Sequence, residues 1–92
     1  MKKPDASPWK PPAWEPPDVS AIQALNRGDA TPDQQKRALD FIVRLAGTYD
    51  LSYRPDSDRD TAFAEGKRFV GLQIVKFLHL NLSAIRQAKE RG

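Results

Sequence analysis

His79 is the only histidine among 92 residues, and there is no cysteine. Thiolate chemistry is therefore excluded, together with most zinc sites and histidine-based triads. A catalytic histidine needs a nucleophile or an orienting carboxylate within reach. Helical spacing around His79, between Leu78 and Leu80, supplies neither, so it reads as a structural side chain. Asp60 and Glu65 lie five apart and off a common helical face, and Glu65 precedes Arg68 by three, the spacing of a surface ion pair. Asp56, Asp58 and Asp60 alternate like the start of a calcium loop. Its sixth position, however, is Thr61 rather than glycine, and its twelfth is Lys67 rather than glutamate. The run 66–71, GKRFVG, lacks the spacing and the preceding strand of a phosphate-cradling loop. The expectation is a protein that is not an enzyme, with no metal, cofactor or small-molecule substrate.

Binding is better supplied. Six of the eight prolines fall in residues 1–17, which also hold Trp9 and Trp14. Proline lacks an amide donor and pushes its predecessor into extended geometry, so this reads as a stiff, polyproline-like arm. Tryptophan is unusual in an idle linker. The two indoles either anchor the arm on a partner or fold back on the chain's own helices; the sequence leaves both open. The net charge of +3 is uneven, with residues 59–92 carrying seven basic and three acidic groups. Lys67, Arg68, Lys76, Arg86, Lys89 and Arg91 are the candidates for nucleic-acid contact. They do not form one helical stripe, so phosphate contact by the basic tail, 81–92, is the only mode left.

The positioning elements read as helices. Asp18 caps a short helix to Arg27, with Val19, Ile22 and Leu25 as its stripe and Gly28 just beyond it. Thr31, Pro32 and Gln34 predict a second helix with a capping box. Its buried face is Ala38, Leu39, Ile42, Val43, Leu45 and Ala46, with Phe41 at the edge and Gly47 as the stop. Asp33–Arg37 and Asp40–Arg44 have ion-pair spacing. Residues 48–58 read as a loop whose Tyr49, Leu51 and Tyr53 cap the core. A third, long helix starts at Ser57 or Asp58 and continues to Leu80. Phe63, Gly66, Val70, Ile74 and Phe77 form its stripe, and Phe69, Leu72, Val75 and Leu80 widen it. A helix apolar on several sides is enclosed on those sides. Glycine inside a helix costs about 1 kcal/mol, so Gly66 and Gly71 predict a close approach to the backbone. Residues 81–92 continue as helix or restart after a kink at Asn81 or Ser83. No apolar run reaches the roughly 18 residues of a membrane span, and the N-terminus has no signal-like apolar core.

The expected fold is a small all-α domain. Two to three packed helices and a C-terminal helical extension, 18–92, follow an extended proline-rich arm, 1–17.

The run Ala62-Phe63-x-Glu65-Gly66-Lys67-Arg68-x-Val70-Gly71-Leu72 resembles the Bbp-nineteen-like domain family of tailed bacteriophages. The likeness extends over about residues 35–80 and includes the apolar helix around Leu39–Leu45 and the tyrosine-containing loop before a Pro-Asp turn. The family has no assigned activity, so the resemblance implies a phage setting only, in the host cytoplasm during assembly and then in the virion. With the arm, the leading expectation is a structural or accessory protein that binds other virion proteins or itself. Trp9, Trp14, Phe63, Gly66, Phe69 and Gly71 are the partner-binding candidates. The alternatives are a DNA-associated packaging or ejection factor using the basic end, and a small effector that captures a host protein.

Overall fold

The computed structural model describes residues 7–91, which form four α-helices and no strand. The part of the arm before Ser7 lies outside the described residues. Helix α1 (Pro16–Arg27) starts two residues earlier than expected. Pro16 and Pro17 occupy its first turn, where the missing amide donors have no intrahelical acceptor to lose. Asp18 thus caps from inside the helix, accepting the Glu15 amide at 2.9 Å. Gly28 ends the helix at φ 81°.

Helix α2 (Pro32–Leu45) carries the expected capping box. The Gln34 amide donates to Thr31 Oγ1 at 3.2 Å, and the Thr31 amide donates to Gln34 Oε1 at 2.9 Å. Helix α3 (Asp58–His79) opens on Ser57, whose hydroxyl accepts the Asp60 amide at 3.1 Å. Helix α4 (Leu82–Arg91) is a restart: Leu80 is extended, and Asn81 Oδ1 accepts the Ala84 amide at 3.0 Å.

α1 packs on α2, and α2 packs more sparingly on α3; α4 packs on no other helix. The buried apolar side chains are small: Ala21, Ala24, Ala38, Val43 and Ala64. This corrects the expected stripes. On α1 the alanines and Asp18 face α2, while Val19 and Leu25 are exposed; on α2, Leu45 is exposed as well. Alanine at the seam lets two helices pack closely, and the larger neighbours then fall to the outside. Tyr49, Leu51 and Tyr53 do not cap the core either: all three are exposed. The molecule measures 57 × 34 × 17 Å. These are Cα extents. With helix axes about 8–10 Å apart and Cα cylinders of about 2.3 Å radius, the shortest one holds two helix layers but not three, so little of the chain has helix on both sides.

A buried charge ties α1 to α2. Asp18 is 4 % exposed and lies 2.8 Å from Arg37 Nε and 3.9 Å from Arg44 Nη2. Arg37 therefore pairs across helices with Asp18. Arg44 makes the expected pair with Asp40, at 3.0 Å, and stacks its guanidinium over Phe41 at 5.5 Å. The Glu15 amide, and then the two arginines, hold the Asp18 carboxyl below its ordinary pKa of 3.8 against the opposing effect of burial.

Candidate protein-binding surface

The two α3 glycines have different neighbours. Gly71 is buried against the turn that ends α2. A Cβ there would lie 1.7 Å from Thr48 Oγ1, 2.9 Å from Thr48 Cβ and 3.1 Å from Ala46 Cβ. The turn is held in place: Gly47 has φ 66°, the buried Thr48 hydroxyl donates to the Val43 carbonyl at 2.8 Å, and Arg68 Nε donates to the Thr48 carbonyl at 3.3 Å. The close approach expected at Gly71 is thus made within the chain, which removes Gly71 from the partner-binding candidates. Gly66 is exposed, and beyond its own stretch of helix no described atom would come within 4 Å of a Cβ placed on it.

The arm folds back over α3. Pro8 is buried, its carbonyl accepts a hydrogen bond from Lys67 Nζ, and the Trp9 ring stands edge-on to Phe63 at 6.4 Å between centroids. Trp9 nevertheless remains 61 % exposed. An indole that shields only part of itself against its own chain still has a face to offer. Beside it, Trp9, Pro11, Ile42, Leu45, Phe63 and Val70 line an open apolar groove of about 350 Å³. Trp14 is also exposed and borders a second hollow of about 370 Å³ with Val19, Ile22 and Phe41. Large, partly exposed aromatics beside apolar hollows are the usual anchors of protein interfaces.

The exposed apolar surface continues along α3. Phe69 is 61 % and Phe77 67 % exposed, and Val70, Leu72, Leu78 and Leu80 are exposed with them. The enclosure expected for this helix is therefore not provided by the rest of the described residues. Trp9, Trp14, Phe63, Gly66 and Phe69 all remain accessible, and the arm brings Trp9 and Phe63 together. Val70, Phe77 and Leu80 belong to the same surface. Their apolar periodicity was legible, but which stripe would stay outside was not.

The basic candidates separate into two groups. Lys67 and Arg68 are half-buried and donate to the Pro8 and Thr48 carbonyls, so they serve the fold. Lys76, Arg86, Lys89 and Arg91 are exposed, three of them on α4. His79 is exposed beside a hollow that Lys36, Asp40 and Tyr49 help to line. Among the described residues, no group of three or more histidine or carboxylate side chains is placed to hold a metal ion. No helix of the described residues is long and apolar enough to cross a membrane.

Area puts a scale on the unsatisfied surface. A compact monomer of 10.3 kDa exposes about 5,400 Å². This chain exposes 7624 Å², about 2,200 Å² more. The exposed arm, the outer face of α3 and the unpacked α4 all contribute to it.

Comparison with protein-family models, curated proteins and solved structures finds no match to this chain.

Proposed function

We propose that this chain is a structural or accessory protein of a tailed bacteriophage, one that acts by binding other virion proteins rather than by catalysis. The observation that carries the binding role is the run of exposed large apolar side chains centred on Trp9, Phe63, Val70 and Phe77. Burying such surface is the main favourable term in protein association, at about 25 cal/mol per Å². The phage setting rests on the resemblance of residues 62–72, and localisation to host cytoplasm and then virion follows from that setting. The arm is suited to anchoring, because a segment already extended by proline loses little freedom on docking.

The test is incorporation into particles. Density-purified virions and assembly intermediates of a phage that encodes the chain are probed with an antibody against it. The chain should co-purify, and Trp9→Ala with Trp14→Ala should lower its occupancy at least about tenfold, as expected for the loss of tryptophan anchors. A chain absent from both particles and intermediates defeats the proposal.

A further inference from the structure

Gly66 is the residue that the monomer does not account for. Gly71 is explained by Thr48, but no other described element approaches Gly66. It lies in a regular row: Phe63, Gly66, Val70, Gln73, Phe77 and Leu80 recur at intervals of three and four, the spacing of a heptad seam. Ala64 and Gly71, which face the α2 side, belong to a different stripe of the helix. All of the row except the half-buried Gln73 is exposed. Phe63 is met by Trp9 at the start of this row; from Gly66 to Leu80 no other helix of the described residues packs on it.

We infer that the occupant is a second copy of this chain, lying antiparallel along α3 so that the Phe77 ring of each copy fills the gap at Gly66 of the other. The inference rests on the proposed binding role and names its first partner. Antiparallel seams pair the first apolar position of a heptad with the second of the opposing helix. That register places Phe63 against the second copy's Leu80, Gly66 against its Phe77 and Val70 against its Gln73. A parallel pair would instead stack two glycines in one layer, leaving a void, and crowd two Phe77 rings in another. Alternating large and absent side chains fills the space without either fault.

Charge favours the same direction. The first third of α3 holds Asp58, Asp60 and Glu65 against Arg59, a net negative charge, whereas Lys76 and the net positive α4, with Arg86, Lys89 and Arg91 against Glu90, lie at and beyond its far end. Antiparallel pairing lays the acidic start beside the basic end and opposes the two helix dipoles. At the flank it brings Lys76 over the second copy's Phe69 ring, a cation–π arrangement. The second copy's Leu80 then arrives beside the open groove between Trp9, Leu45 and Phe63. The scale agrees: obligate homodimers bury about 1,000–2,500 Å² per partner, and each chain exceeds a compact monomer by about 2,200 Å², an excess shared among the outer face of α3, the arm and α4.

Sedimentation of the full chain between about 1 and 100 µM should show a species of twice 10.3 kDa. Gly66→Leu should weaken the dimer at least about tenfold, although a leucine at an open helix position would otherwise strengthen the helix. Phe77→Ala should weaken it similarly, and the double variant Gly66→Leu/Phe77→Ala should recover most of the loss by exchanging large for small. Because the chain has no cysteine, orientation can be read directly. A Gly66→Cys chain mixed with a Phe77→Cys chain should form the mixed disulfide in preference to either homodisulfide. A monomer throughout the range, a trimer, or homodisulfides without the mixed product overturns the inference. Particle incorporation is scored separately, so a monomer that still enters virions would fail only here.

Discussion

Gly71→Ala tests the central packing statement of the fold. The added methyl would sit 1.7 Å from Thr48 Oγ1, where ordinary contact begins at about 3.4 Å, so the helices must part by more than an ångström. Thr48 cannot simply swing aside: it is β-branched and buried, its hydroxyl bonds the Val43 carbonyl, and its own Cβ would be 2.9 Å away. Overpacking at such sites costs about 1–3 kcal/mol, and this overlap belongs at the upper end. Alanine in place of glycine returns about 1 kcal/mol of helix propensity. The net loss is about 2 kcal/mol, or roughly a 10 °C fall in Tm for a domain of this size. Gly66→Ala is the matched control: with nothing near its Cβ, it should gain about 1 kcal/mol in the monomer. Urea unfolding followed by circular dichroism, at a concentration low enough to keep every variant monomeric, separates the two. Adding Thr48→Ala should restore only part of the Gly71→Ala loss, because the Thr48 Cβ overlap persists. If Gly71→Ala is as stable as the parent, the packing of α3 on the α2 turn is not as described.

Two further outcomes follow from the charges. Asp18 has a lowered pKa in the folded chain, so its contribution is complete above the ordinary value of 3.8 and is lost as pH falls through the lower folded value. The urea midpoint should therefore drop below about pH 4, and Asp18→Asn should have a lower midpoint at pH 7 with a flatter acid limb; an unchanged acid limb would count against the Asp18–Arg37 tie. For DNA, Lys67 and Arg68 are engaged by backbone carbonyls, which leaves Lys76, Arg86, Lys89 and Arg91. Duplex affinity carried by these four should then fall with salt at a log–log slope no steeper than about −3.6, and replacing Arg86, Lys89 and Arg91 with glutamine should abolish it. Binding that survives this triple change would mean that another surface meets the phosphates.

The helix starts could be read from the chain because they depend on residues three or four apart. Thr31 with Gln34, Ser57 with Asp60 and Asn81 with Ala84 each satisfy amide donors within one turn, whatever the rest of the protein does. The all-α class, the stops at Gly28 and Gly47, and the break before α4 rest on the same short range. One local signal misled: Asp18 looked like a cap in front of a helix, yet Pro16 and Pro17 begin it, since proline is unfavourable only after the first turn.

Tertiary structure decided what lies between helices. Periodicity showed that α3 has more than one apolar stripe, but only packing chose the Ala64–Gly71 side for α2 and left Phe63, Val70 and Phe77 outside. Gly66 and Gly71 are the same residue in the same helix; what distinguishes them is Thr48, 23 positions from one and 18 from the other, touching only the farther. Asp18 and Arg37, and Pro8 and Lys67, likewise meet across long stretches of chain. A single chain's sequence determines hydrogen bonds inside a turn, because the backbone holds those partners within reach. Which distant side chains meet depends on how whole helices are placed, and that is settled by shape and burial summed over the molecule.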